Sequence, residues 1–221
     1  MMDTSRSMNT TMNKLTGQTK LAFMKKAVTS TVTSLSSRAS ISVIRFGEEA
    51  FPVGRSGSAP PYLWQSATQK HKEAIINDVE STQVRGRSNW IQGFNLAFRL
   101  IKNSLQQIKA QNNTGSCDLE NIALLFFSDG IYNLPGDATD DDIVKAVSSQ
   151  VEEIESMGDY HIHPFFYSLG SNDVDQVSKQ ISCAVDGYWE PVIGSTASPT
   201  NVTAGYQALF ATPVSNTGLR V

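Results

Sequence analysis

Hydrophobic positions along this chain switch repeatedly between three-to-four-residue steps and short continuous runs. Leu21, Met24, Val28, Val32 and Leu35 recur at helical spacing and predict an amphipathic helix. "SISVIRFG" (40–47) follows, a β-branched run carrying Ile41, Val43 and Ile44 and closed by Gly47, which predicts a strand. "SGSAPPYLW" (56–64) reads as loop with a short edge strand after Pro60-Pro61. Ser66-Ala-Thr-Gln69 has capping-box spacing and predicts a second helix through Ile75, Ile76 and Val79. A third is predicted from Trp90 to Ala110, with Phe94, Ala97, Phe98, Ile101 and Leu105 on one face.

The second half repeats the alternation. "QNNTGSCD" (111–118) is a polar turn, and "NIALLFF" (121–127) is the nearly continuous apolar run of a central parallel strand buried on both faces. Thr139 begins a helix with Ile143, Val147, Val151 and Ile154 inward. "HIHPFFYSLG" (161–170) is a strand closed by Gly170, 171–183 a short helix, "GYWEPV" (187–192) a last strand and 199–211 a final helix. Strand and helix in alternation predict an α/β, doubly wound, mostly parallel sheet with helices on both faces. No internal repeat interrupts it, so 1–212 read as one domain and 213–221 as a tail or the start of a linker.

In such sheets ligands gather outside the carboxyl ends of the strands. Asp129 lies just past one strand, in "LLFFSDG", and Ser168 and Gly170 lie at the end of another. The chain opens MMDTSRSM, with Asp3, Ser5 and Ser7 alternating as a turn at a strand mouth would place them. Three loops are therefore expected to converge on one edge. Two carboxylates, Asp3 and Asp129, together with hydroxyls make a hard-oxygen set without thiolate or imidazole. That set suits Mg²⁺, Ca²⁺ or Mn²⁺ rather than zinc or copper. Two carboxylates leave the ion short of ligands, and a partner's carboxylate would complete its shell.

Composition removes several other classes. The net charge of -3 comes with no basic stripe, so nucleic acid is not an expected partner. No apolar run reaches membrane-spanning length, and no signal peptide opens the sequence. Cys117 and Cys183 are too few for a disulfide scaffold or a four-thiolate zinc site, and either one bridge or free thiols remains open. His161 and His163 share a strand face at the end away from the proposed site and lack a third ligand, so they read as structural or surface residues. The acidic run "DATDDD" (137–142) reads as helix N-terminal acids that favour the dipole. Trp90 and Trp189 read as packing residues, and Asn9, Asn112 and Asn201 form sequons that fit secretion.

The motif order carries a resemblance. "DTSRSM" ahead of an amphipathic helix, Ser88 in "RGRSNWIQGFNLAF" (85–98) and Asp129 in "LLFFSDG" together resemble the metal-ion-dependent adhesion site of a von Willebrand factor type A domain. The 85–98 window, with "FFYSLG", Cys183 and "GYWEPV", is most similar to the type A domain of the alpha-2/delta auxiliary subunits of voltage-gated calcium channels. The resemblance implies a non-catalytic, divalent-cation-dependent, adhesion-type protein-binding domain. Ser5, Ser7 and Ser88 would ligate Mg²⁺ (or Ca²⁺/Mn²⁺), and Asp3 and Asp129 would supply charge, partly through water. It also implies a partner that donates a carboxylate, a channel subunit among the candidates. The parent would be a larger membrane-anchored, extracellular or cell-surface protein that regulates a channel or acts as a sensor.

Two departures accompany it. Ser88 stands where the family usually has Thr, keeping the hydroxyl and losing the methyl that restricts its rotamer. The family's first strand, a central one, precedes the Asp, and only Met1 and Met2 remain of it here. The first strand is therefore expected to be truncated, with backbone groups unpaired on its neighbours. The competing readings are a metal-dependent phosphoryl-transfer enzyme with Asp3 as nucleophile and an intracellular type A assembly scaffold. Against the enzyme, Ser5 occupies the second acid's place and no Lys is plainly placed to neutralise a phosphate, with Lys14 and Lys20 left open.

Overall fold

The computed structural model describes residues 1–54, 63–111, 121–134, 139–170, 175–194, 197–203 and 206. Its first half contains β1 (Met2–Asp3), a 3-10 turn (Arg6–Asn9), β2 (Thr11–Asn13), β3 (Gln18–Thr19), α1 (Lys20–Ser34), β4 (Ser40–Ile41), β5 (Val43–Phe46), β6 (Ala50–Val53) and β7 (Gln65–Ser66). α2 (Gln69–Ser81), α3 (Trp90–Gln111), β8 (Asn121–Ser128), α4 (Asp140–Glu155), β9 (His161–Leu169), α5 (Gln176–Ala184), β10 (Tyr188–Val192) and α6 (Pro199–Val202) follow.

Six strands form the main sheet in the order β10-β9-β8-β1-β5-β6, all parallel except for the antiparallel edge strand β6. The doubly wound, mostly parallel α/β expectation is met. The apolar runs are continuous because both faces are covered. Phe126 and Phe166 point into a cluster with Trp90, Phe94, Phe98 and Ile154, while Phe127 and Phe165 point the other way, toward Phe23, Met24 and Ile75. Successive strand residues thus feed two cores, one on each side of the sheet.

β1 sits at the centre of this order with only two residues, where β8 has eight and β9 nine. Met2 pairs with Phe127 on one side and Arg45 on the other. The Met1 ammonium donates to Leu125 O at 2.5 Å, and Phe127 N donates to Met1 O at 3.0 Å, so Met1 still occupies a ladder position against β8. A cavity of about 330 Å³ opens beside it, bounded by 40–44 and 121–125 and lined by Val28, Val32, Ala97 and Ile101.

Several local expectations change. The 40–47 run is two strands: Ser40–Ile41 pairs with Gln65–Ser66 in a separate two-stranded ladder, and only Val43–Phe46 joins the main sheet. Ser66 lies in that ladder and is not the cap of α2. Thr68 caps it instead, accepting from His71 N, because the chain turns from the ladder into the helix two residues later. β6 and the β2–β3 hairpin carry no clear strand pattern. In β6 Pro52 is tolerated because an edge strand needs no donor on its outer side. Thr139 caps α4 as expected, with Asp142 closing the capping box.

The 56–62 part of the Pro60-Pro61 loop, the 112–118 turn with Asn112 and Cys117, residues 137–138, 171–174 and the tail 213–221 lie outside the described residues. Cys183 is exposed with a free thiol. His163 exchanges a 3.0 Å hydrogen bond with Asn121 at the start of β9, as a structural histidine would.

Candidate metal centre

Asp3 ends β1, and the next four residues turn over the end of the sheet. The Asp3 carboxylate accepts from Ser5 N at 2.8 Å, which folds the Asp-x-Ser segment into an Asx turn. Thr4 binds Phe46 O through both its backbone N (2.7 Å) and its hydroxyl (2.8 Å), continuing the β1–β5 ladder. Arg6 N donates to Gly86 O at 3.1 Å and Arg85 N to Thr4 O at 2.7 Å, so the first loop is bound to the loop that carries Ser88. Asn133 N donates to Ser88 O at 2.7 Å, tying in the loop after β8. Three loops from separate parts of the sequence are thereby fixed to one another by backbone bonds.

The side chains meet within that frame. Ser88 Oγ donates to Asp3 Oδ2 at 2.8 Å, and Ser5 and Ser7 hydroxyls lie 3.0 Å apart. Ser7 Oγ donates to Asp129 Oδ1 at 3.2 Å. All five sequence-predicted residues, Asp3, Ser5, Ser7, Ser88 and Asp129, therefore belong to one connected cluster at the carboxyl ends of β1 and β8. Asp3, Ser5, Ser88 and Asp129 are buried and Ser7 is half-buried, so the cluster opens outward at Ser7.

Three participants were not singled out as site residues by the sequence pattern. Ser128, immediately before Asp129, donates to Asp3 Oδ2 at 2.7 Å. Lys20, the first residue of α1, places its ammonium 2.9 Å from Asp129 Oδ2. Asp175 packs against Gly130 and accepts from Ser168 Oγ at 2.6 Å, while Trp189 Nε1 donates to the same hydroxyl at 2.8 Å. A hydroxyl at the very end of a buried strand was the available signal for Ser128, and a cation at a helix start was the signal for Lys20.

Burial dominates the electrostatics of Asp3. Desolvation pushes its carboxyl up to about 6, against the opposing effect of hydrogen bonds from Ser5, Ser128 and Ser88. Burial raises Asp175 as well, assisted by the negative charge of Asp129. A cation among these groups would relieve that cost, since it restores the solvation that the carboxylates have lost. Among the described residues no three His, Cys, Asp or Glu side chains gather around one point. Such a cation would rest on two carboxylates and on hydroxyls. The donor set fits a hard divalent ion and does not fit zinc or copper.

No family model matches the sequence, and no curated relative matches it. Solved structures do match its fold. One, a von Willebrand factor type A from Catenulispora acidiphila, superposes with a TM-score of 0.59 over 95% of this chain at 15% identity. The fold is of the von Willebrand factor type A kind. This chain spans 40% of the length of that protein's chain. The type A fold places the carboxyl ends of β1 and β8 at the sheet's upper edge, where the serine and aspartate cluster lies. No described helix is long and apolar enough to cross a membrane.

Proposed function

We propose that this chain is a non-catalytic, divalent-cation-dependent protein-binding domain of the adhesion type. Ser5, Ser7 and Ser88 hold Mg²⁺, or Ca²⁺ or Mn²⁺, and Asp3 and Asp129 supply the compensating charge. The ion supplies a Lewis-acidic point for a carboxylate donated by a partner protein. The observation that carries this reading is the single hydrogen-bonded cluster joining the Asp3-x-Ser5-x-Ser7 turn, Ser88 and Asp129.

The phosphoryl-transfer alternative is less well supported. Asp3 is fully buried and each of its oxygens accepts hydrogen bonds, which suits an outer-sphere anion better than a nucleophile that must reach a substrate. The alpha-2/delta likeness of 85–98 supports a place in a larger, membrane-anchored, extracellular or cell-surface protein with a channel subunit as one candidate partner. The assembly-scaffold reading differs from this in location alone.

Thermal unfolding tests the ion. In EDTA and then in rising Mg²⁺, Ca²⁺ or Mn²⁺, the midpoint should climb with ion concentration, by linkage about 2.7 kcal/mol at a hundredfold excess over Kd. The Asp129→Ala variant should melt cooperatively with a midpoint indifferent to ions. An ion-independent wild type, or a variant that responds as the wild type does, overturns the reading.

A further inference from the structure

We propose that Lys20 is a built-in counter-ion for this site, whose ammonium competes with a divalent cation for Asp129. This inference rests on the cation-binding reading above. Three independent features place the side chain there. Lys20 opens the 15-residue helix α1, with Thr19 as its cap, and a cation at a helix N-terminus opposes the macrodipole. Helix electrostatics therefore do not account for it, and Asp129 does. The side chain of Lys20 is only 12% exposed and that of Asp129 is 0% exposed, so the 2.9 Å pair is shielded from bulk water. The stem also has a place made for it. Gly170, at φ +86°, lies under Lys20, and a Cβ there would stand 2.8 Å from Lys20 Cε.

The pair occupies Asp129 on the oxygen that its other partners leave open. Asp129 Oδ1 accepts from Ser7 Oγ and Ile131 N, both at 3.2 Å, and Oδ2 accepts from Lys20. An ammonium has three donors and no acceptor, so it cannot be a ligand to a metal. It can neutralise the carboxylate in place of one. Two positive centres beside one carboxylate repel, so a divalent ion that draws charge from Asp129 must displace Lys20 or bind against it. Lys20 keeps the empty site folded and sets the ion concentration at which it fills. The Lys20 side chain is itself 12% exposed, so its release needs no opening of the core, and the cluster is open to a partner's carboxylate at half-buried Ser7.

The test is a Mn²⁺ titration followed by the EPR signal of the free ion, on the wild type, Lys20→Met and Lys20→Arg. Lys20→Met keeps the stem over Gly170 and removes the charge. It should bind Mn²⁺ about tenfold more tightly than the wild type, the change that 1.4 kcal/mol produces. Lys20→Arg, which keeps the charge, should bind no more tightly than the wild type. In EDTA, Lys20→Met should also melt below the wild type, since Asp129 loses its partner; if that variant does not fold, Lys20→Gln takes its place in the same titration. A wild type that binds Mn²⁺ alongside a Lys20→Met variant of equal or weaker affinity overturns the competition and leaves the metal site standing. Absence of binding in both overturns the metal site and the competition together. Binding by Lys20→Met alone supports the competition in its strongest form.

Discussion

The hydroxyl of Ser128 donates to Asp3 Oδ2 at 2.7 Å across the β1–β8 pair, joining residues 125 apart in sequence. Ser88 donates to the same oxygen at 2.8 Å from a third segment. Asp3 is thus held by one backbone and two hydroxyl donors while it is fully buried. Ser128→Ala removes one of the three without offering a substitute. Hydrogen bonds to charged groups contribute roughly 1.5–3 kcal/mol, and that is the expected loss in urea unfolding at neutral pH. Because Ser128 is not among the proposed ligands, the ion response should persist in this variant. A loss of the ion response without a loss of stability would reverse the roles assigned to Ser128 and Ser88.

Asp3 also makes the ion-free protein sensitive to pH. Its folded carboxyl lies near 6, above the ordinary 3.8, so the folded state binds the proton more tightly than the unfolded chain does. Its contribution to stability is fully present below about pH 3.8 and is lost as pH rises through about 6. In EDTA, the stability of the wild type relative to Asp3→Asn should therefore fall between pH 4 and pH 7, by at most about 3 kcal/mol. Urea unfolding of both proteins across that range is the measurement. A relative stability that rises with pH would show that hydrogen bonds, and not burial, govern Asp3.

How far such features could be read from sequence depended on their range. Phe126 and Phe127 announced a strand buried on both faces, and Asp129 at its end announced a member of the candidate cluster, because both signals are local. Ser88 was legible only as part of a spaced motif. Asp175 was not legible, since its closeness to Gly130 follows from β8 and β9 lying side by side and leaves no trace in either segment. The divided fate of 40–47 was hidden for a similar reason. Nothing in "SISVIRFG" says that Ser40–Ile41 will pair with Gln65–Ser66 while Val43–Phe46 joins β1 and β6. The cap at Thr68 in place of Ser66 shows the limit of spacing patterns alone, because the ladder claimed Ser66 first.

Gly130 ties the backbone of the loop after β8 to the segment that follows β9. It follows Asp129 at φ +78°, and a Cβ there would stand 2.7 Å from Asp175 Cβ and 3.2 Å from Asp175 Cα. Gly130→Ala therefore brings two costs. The left-handed backbone disfavours any side chain by roughly 1 kcal/mol, and the contact with Asp175 adds overpacking of about 1–3 kcal/mol. Asp175 cannot step aside cheaply, because Ser168 Oγ and Ser178 N hold its carboxylate at 2.6 and 2.9 Å. The loop must move instead, carrying Asp129 away from Ser7 and Lys20. Gly130→Ala should thus lower stability in EDTA and also weaken Mn²⁺ binding. Asp175→Gly in the same background removes the Cβ that makes the contact, at a helix-cap position that tolerates glycine, and should restore part of the ion affinity. A double variant no better than Gly130→Ala alone would place the damage in the backbone angle and leave the Asp175 contact without a part in it.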